Sequence, residues 1–389
     1  MALLILNFVF IGFIVSQFLA ALNFFDTALN GYFSSTVIII GCISYLYFLL
    51  RVKKVFFPIA MLPVFISYCV FIILFLCIFI FNIYHGNGGD TLKSHVVFCI
   101  FYVMMPILAY IIFSSNEGQS WIFCFLYFLF FVIVVFRLLY GDIRSFSVSL
   151  TGGEFQFNYQ AIGATVVILY VFLIDHKRSY LSYVTFLVAF IGGYLIGARA
   201  EIISLLVIFI LNCILKAKVR YCLALSYFSI VLIIFCGLFI LLLSVFVSTL
   251  EYNLSAVDLS LHERMLILAS NLKYISESPL LGNYSAYDAG MYAHNLISVW
   301  VDFGLVPFLV FNFTLFLLLF RYMYLLSKMR FITLYRQGLC IYISTLFLML
   351  VFKDYGYFIF PFSIGIYFAV ENKYMSLRRK SSPELTHAS

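Results

Sequence analysis

Apolar residues fill this chain in runs of about 18 or more, separated by short polar breaks and by one long polar interval, Ser260 to Gly304. A run of that length crosses about 30 Å of hydrocarbon as a helix. The pattern therefore predicts an all-α, polytopic membrane protein, a single membrane domain over residues 1–389. A membrane β-barrel would instead alternate over segments of about ten residues, a pattern the sequence lacks. The predicted spans are Met1 to about Phe25, Ser34–Leu50, Val55–Tyr84, His95–Phe113, Trp121–Tyr140 and Ala161–Ile174. They continue with Tyr180–Gly197, Glu201–Leu215, Tyr221–Val247, Ala293–Phe320, Phe331–Phe352 and Phe358–Val370. That makes about twelve transmembrane helices. No basic residue precedes the first run, so it reads as a span rather than a cleavable signal peptide.

Composition agrees with the pattern. The chain is 65% hydrophobic and 10% charged, with a mean hydropathy of +1.12, far from soluble usage. Its net charge of +7 would suggest a nucleic-acid partner in a soluble protein. Here the basic residues fall in alternate loops: Arg51, Lys53 and Lys54; Lys177 and Arg178; Lys216, Lys218 and Arg220; Arg321, Lys328, Arg330 and Arg336; and the tail from Lys373 to Lys380. The positive-inside rule makes that side cytoplasmic, with both termini there and no nucleic-acid partner. Lys93, Arg137, Arg144, Arg199, Arg264, Lys273 and Lys353 are left on or near the opposite side. The nine cysteines sit in apolar runs and read as small buried hydrophobes, not as disulfides or zinc ligands.

The segment 248–293, between the ninth and tenth spans, forms a large outer loop of about 45 residues, too long for a mere connection. Within it, Met265, Leu268, Leu272 and Ile275 alternate with Arg264, Asn271 and Lys273. This spacing predicts an amphipathic helix over 262–275 lying at the membrane surface, stopped by Ser278-Pro279 and Gly282.

The candidate chemistry clusters at the same outer face. Arg199 stands between two apolar helices, where an arginine requires water, a counter-ion or an anionic ligand. It reads either as an interfacial side chain, alone or paired with Glu201, or as an anion site. Arg264 reads as a solvated surface charge or as the second half of a phosphate clamp, because the guanidinium fork matches phosphate oxygens. Lys273 and Arg144 are further loop charges that could join it. His294, Ser298 and Asp302 recur at i, i+4 and i+8, a polar stripe leading into an apolar run, with Asn295 beside it. His294 either bonds backbone groups where the helix begins or serves as a neutral base. Asp302, a carboxylate inside an apolar stretch, favours the functional reading. The acids Glu251, Asp258, Glu263, Glu277 and Asp288 are scattered, and no HExxH, P-loop or Gly-rich fingerprint occurs. A metal-independent reaction with no cofactor is expected.

The stretches GARAEIISLLV (Gly197 to Val207), ER (Glu263-Arg264), ESPLLGNY (Glu277 to Tyr284) and HNLISVWVDFGLVPF (His294 to Phe308) occur in that order across the C-terminal half. At these residues the chain resembles the O-antigen polymerase/ligase family, bacterial membrane glycosyltransferases of surface polysaccharide assembly. It departs from the family pattern in carrying Pro307 where a small residue is usual, and one residue fewer between the histidine and the following glycine.

The resemblance implies a GT-C-like fold and the bacterial inner membrane, with the active site at the periplasmic face. It further implies undecaprenyl-diphosphate-linked oligosaccharides as donor and acceptor, and a chain-length regulator among the partners besides the lipid bilayer. By the same resemblance Arg199 and Arg264 hold the diphosphate and His294 is the essential histidine. Asn295, Asp302 and Lys273 join the substrate site. The expected reaction is a metal-independent, inverting transfer of a glycan to the sugar of another lipid-linked repeat unit. A ligase, passing the glycan to lipid A core, is the alternative within the family. A transporter of lipid-linked sugars is the alternative from another class, and it should show paired halves and interrupted helices.

Overall fold

The structure is a computed structural model. It describes residues 1–21, 32–51, 59–85, 89–115, 119–140, 159–174, 179–216, 259–287, 295–329, 332–351 and 353–380. Among these residues the chain is all-helical and contains no strand. The first helix, α1, runs through Ala2–Ile5, a π-helical stretch Leu6–Ile11 and Gly12–Ala21. Then follow α2 (Tyr32–Arg51), α3 (Leu62–Tyr84), α4 (Gly89–Ser114), α5 (Gln119–Tyr140), α6 (Tyr159–Leu173), α7 (Ser179–Ile196) and α8 (Arg199–Lys216). The remainder are α9 (Leu259–Glu277), α10 (Ile297–Phe303), α11 (Leu305–Met329), α12 (Thr333–Val351) and α13 (Ile359–Lys380).

Five of the described helical stretches are long and apolar enough to cross a membrane: Ala2–Leu19, Ile59–Tyr84, Ser94–Ser114, Leu305–Leu326 and Thr333–Val351. Four shorter apolar helices accompany them, Phe33–Tyr47, Trp121–Val135, Tyr159–Leu173 and Leu181–Ile196. These lengths and compositions suit a helical membrane protein. The run Tyr221–Val247 lies outside the described residues, as do the segments 141–158 and 217–258.

The helices are arranged for an apolar solvent. On α3, Val64, Tyr68, Phe71 and Phe75 are buried, whereas Ile66, Ile73 and Ile80, seven residues apart, form an exposed apolar stripe. Phe313, Phe316 and Phe320 do the same on α11. Such surfaces belong in lipid, where helices associate through close packing and interhelical hydrogen bonds rather than through a hydrophobic drive. Helix α13 packs against α4 and α12, and its contact with α4 is close because a Cβ at Gly365 would lie 2.1 Å from the Pro106 carbonyl oxygen. Polar pairs cross the interior: Ser67 with Thr314 at 2.7 Å, Tyr68 Oη donating to the Tyr102 carbonyl at 2.6 Å, and Ser204 with Ser344 at 2.5 Å. Gln337 Nε2 donates to the Val171 and Phe172 carbonyls, both at 3.0 Å, and so satisfies acceptors left over at the end of α6.

The expected continuous span Ala293–Phe320 is interrupted. Gly304, at φ 82° and ψ −175°, separates α10 from α11, so the span proper begins at Leu305 and Asp302 precedes it. The freed backbone groups find partners in the segment after α9. Asn283 N donates to the Val301 carbonyl at 2.6 Å, and Leu305 N donates to the Leu280 carbonyl at 3.2 Å. Trp300 Nε1 also donates to the Pro279 carbonyl, at 2.7 Å. Backbone polar groups that cannot reach water need such partners. The approach is possible because both chains carry glycine there. A Cβ at Gly304 would sit 2.2 Å from the Leu280 oxygen, and one at Gly282, φ +74°, would sit 2.5 Å from Gly304 N.

Candidate active site

The starts of α4, α6, α8 and α11, the segment after α9 and the connection 353–358 before α13 meet at one end of the bundle. Their side chains build two linked polar clusters. The first surrounds Asp302, which is fully buried. Tyr287 Oη donates to its carboxylate, 2.8 Å from Oδ1 and 2.7 Å from Oδ2. Tyr355 Oη donates to Oδ2 at 2.8 Å, and the backbone N–H of Ser285 donates as well. Ser285 has φ 56°, the one left-handed residue other than glycine among the described residues. A serine held there is strained, and the hydrogen bond to Asp302 is part of what holds it. Tyr355 is anchored in turn, its carbonyl accepting from Tyr102 Oη at 2.7 Å.

The network continues to His95, in the second turn of α4. Its Nε2 is hydrogen-bonded to Tyr355 Oη and its Nδ1 to Tyr284 Oη. Nε2 lies 3.9 Å from Asp302 Oδ2. The rings of Phe75, Phe79, Phe98 and Phe303 enclose the imidazole. Around Asp302, desolvation outweighs the hydrogen bonds from Tyr287, Tyr355 and Ser285, and the carboxyl is pushed up to about 7. Desolvation likewise pushes Asp354 up to about 6, against the opposing effect of Lys353. Desolvation and the Asp302 charge drive Tyr287 above the usual phenol range, so it remains a donor.

The second cluster lies behind Arg199. Lys353 Nζ stands 2.8 Å from Glu201 Oε1 and donates to Gln160 Oε1 at 3.1 Å. It also lies 5.2 Å from the Tyr357 ring centroid. Lys353 and Tyr355, two residues apart in one connection, thereby tie the first turn of α8 to the Asp302 network.

The residues singled out by sequence fall as follows. Arg199 is the exposed first residue of α8. Glu201, a partner for Arg199 under one of the readings above, is buried and pairs with Lys353. Arg264 lies in the first half of α9, and its side chain is outside the described residues. His294 lies outside the described residues. Of the expected stripe with His294, Ser298 and Asp302 remain together on α10. Asn295 stands just before that helix, its Oδ1 accepting from Ile297 N at 3.0 Å and its carbonyl accepting from Ser298 Oγ at 2.7 Å. Lys273 is exposed on α9 and sits 4.0 Å from Glu277. Among the described residues no three His, Cys, Asp or Glu side chains gather closely enough to hold a metal ion.

His95, Tyr284, Tyr287 and Tyr355 were not among the residues singled out. One signal pointed to His95, an ionisable residue at the edge of an apolar run, which in membranes is a functional candidate by default. Nothing distinguished three tyrosines among 29. Comparison of the sequence with protein-family models and with curated proteins finds no match.

Proposed function

We propose that the chain is a surface-polysaccharide polymerase of the O-antigen type, a membrane glycosyltransferase that moves a glycan from undecaprenyl diphosphate to the sugar of another lipid-linked repeat unit. The observation that carries the reading is that exposed Arg199 and the buried, hydrogen-bonded Asp302 lie at the same end of the bundle. In this reading the chain has about twelve spans in a GT-C-like arrangement, with cytoplasmic termini and a periplasmic site. Arg199 and Arg264 stabilise the charge that develops on the departing diphosphate. His294 orients or deprotonates the acceptor hydroxyl, and Asn295 and Lys273 line the approach. Direct attack inverts the anomeric carbon. The resemblance of GARAEIISLLV, ER, ESPLLGNY and HNLISVWVDFGLVPF, in that order, to the family pattern supports the substrate class.

The break at Gly304 beside a buried carboxylate favours a second reading, a transporter of lipid-linked sugars, because interrupted helices are common at transporter sites. One experiment separates them. The purified chain in nanodiscs is given a donor and a radiolabelled acceptor, both linked to undecaprenyl diphosphate. Polymerase activity lengthens the labelled glycan, whereas a transporter leaves both substrates covalently unchanged and overturns the proposal. Transfer only to lipid A core would make the protein a ligase.

A further inference from the structure

We propose that Asp302 is the proton acceptor of the transfer reaction, loaded from Tyr284 through His95 and Tyr355 and emptied by the same route. This rests on the glycosyltransferase reading above and assigns a step within it. An ionised carboxylate only accepts hydrogen bonds. Tyr355 has a single hydroxyl proton, and Oδ2 of Asp302 at 2.8 Å takes it. The Tyr355 oxygen can then only accept from His95 Nε2. With a neutral imidazole, Nε2 carries the proton and Nδ1 accepts from Tyr284 Oη. Every polar atom is satisfied, and every bond in this arm runs toward Asp302. On the other side Tyr287 donates to both carboxylate oxygens. Both terminal phenols, Tyr284 and Tyr287, are half-buried, whereas His95, Tyr355 and Asp302 between them are buried.

A chain of bonds oriented in one direction conducts a proton in that direction. As the acceptor hydroxyl oxygen forms its bond to the anomeric carbon, the bond from that carbon to the diphosphate oxygen breaks and the diphosphate leaves with the electron pair. The hydroxyl proton passes to Tyr284 Oη and the Tyr284 proton to Nδ1. The Nε2 proton moves to Tyr355 Oη, and the Tyr355 proton to Asp302. No charge is stranded inside, and the imidazole has changed tautomer. Once the product leaves, the relay runs in reverse: Asp302 returns its proton through Tyr355 and His95, and Tyr284 releases one to water, which restores the starting tautomer while Tyr287 keeps donating to the carboxylate. In this relay Tyr284 is the residue that touches the acceptor. The titratable groups that face Asp302 are Tyr287, Tyr284, Tyr355, His95 and Asp354, with the Lys353–Glu201 pair beyond them.

The test has two parts, on the full chain in nanodiscs. The first follows the ¹⁵N resonances of His95 by NMR and needs no activity. The Nε2–H tautomer is expected at pH 9, converting to Nδ1–H on acidification through about 7, where Asp302 takes up its proton. Asp302→Asn should abolish that conversion. A ring that stays in one tautomer throughout, or is doubly protonated at pH 9, overturns the relay. The second measures transfer between the lipid-linked substrates. Asp302→Asn should lower kcat at least about 100-fold, the range of a lost general base. Tyr355→Phe, which keeps the ring in its aromatic packing, should lower kcat at least about tenfold and abolish the solvent isotope effect. Wild-type rates and pH profile in both variants overturn the relay while leaving the transferase reading intact. No transfer by the wild type overturns the transferase reading itself, and the tautomer experiment then decides the relay's geometry independently.

Discussion

Glu371 and Asp302 are both buried carboxylates, and the fold treats them in opposite ways. Glu371 on α13 faces Arg321 on α11, with Nε on Oε1 and Nη2 3.1 Å from Oε2, a bidentate pair at the end of the bundle remote from Asp302. The guanidinium lies 4.7 Å from the Tyr324 ring centroid. That pair neutralises its own charge and locks two helices. Asp302 receives instead two phenols and a backbone N–H, with the His95 imidazole 3.9 Å away. Hydrogen bonds without a full counter-charge leave a carboxyl able to take up a proton near neutral pH. The first arrangement suits architecture; the second suits chemistry.

The largest expected effect breaks the architectural side. Arg321→Met leaves Glu371 buried without its cation and should cost about 3–5 kcal/mol, read as a lower melting temperature in detergent. Adding Glu371→Leu should restore most of it, since the cost lies in the stranded charge. If the single variant melts like wild type, the pair is not holding α11 to α13.

A smaller loss should follow on the other side from Gly304→Ala. The new Cβ meets the Leu280 carbonyl at 2.2 Å at a backbone angle that disfavours any side chain, for about 2–4 kcal/mol of strain and overpacking. Because the Asn283, Leu280 and Pro279 contacts hold the segment that carries Ser285 and Tyr287, its glycan transfer should fall along with its melting temperature. An unchanged melting temperature would mean that the helix break is not fixed by this contact.

The subtlest effect sharpens the comparison through pH. The Asp302 carboxyl is raised from 3.8 to about 7 by burial, so the folded state holds this proton more tightly than the unfolded state. Its contribution therefore favours folding most below about 4 and is lost as pH rises to about 7, with a slope of at most about 1.4 kcal/mol per pH unit. Asp354, raised to about 6, acts in the same sense. Asp302→Asn should flatten the stability profile over that window and leave the smaller Asp354 slope. An unaltered profile would show that Asp302 does not titrate there.

Particular elements show how far the sequence was readable. The amphipathic pattern around Arg264 to Ile275 predicted a helix, and α9 spans Leu259–Glu277, with Gly282 in the left-handed region just after it. The apolar runs matched helices from α1 through α8 because length and composition suffice to make a helix in lipid. The break at Gly304 was not legible, since glycine is common within membrane helices and its φ of 82° depends on the Leu280 backbone lying against it. The pairing of Glu201 was not legible for a related reason: Lys353 is far along the chain but stands 2.8 Å from it in space.

The sequence by itself determined that this chain is helical and apolar, where most of its helices lie, and that Asp302 stands out among its carboxylates. Those properties follow from local composition and periodicity, which a helix in hydrocarbon cannot evade. Only the tertiary structure decided which polar groups Asp302 would keep. Tyr355 and His95 are 260 residues apart and meet because α4, the segment after α9 and the connection before α13 end at the same place. A buried carboxylate must find its donors there, and no local pattern records which neighbours the packing will supply.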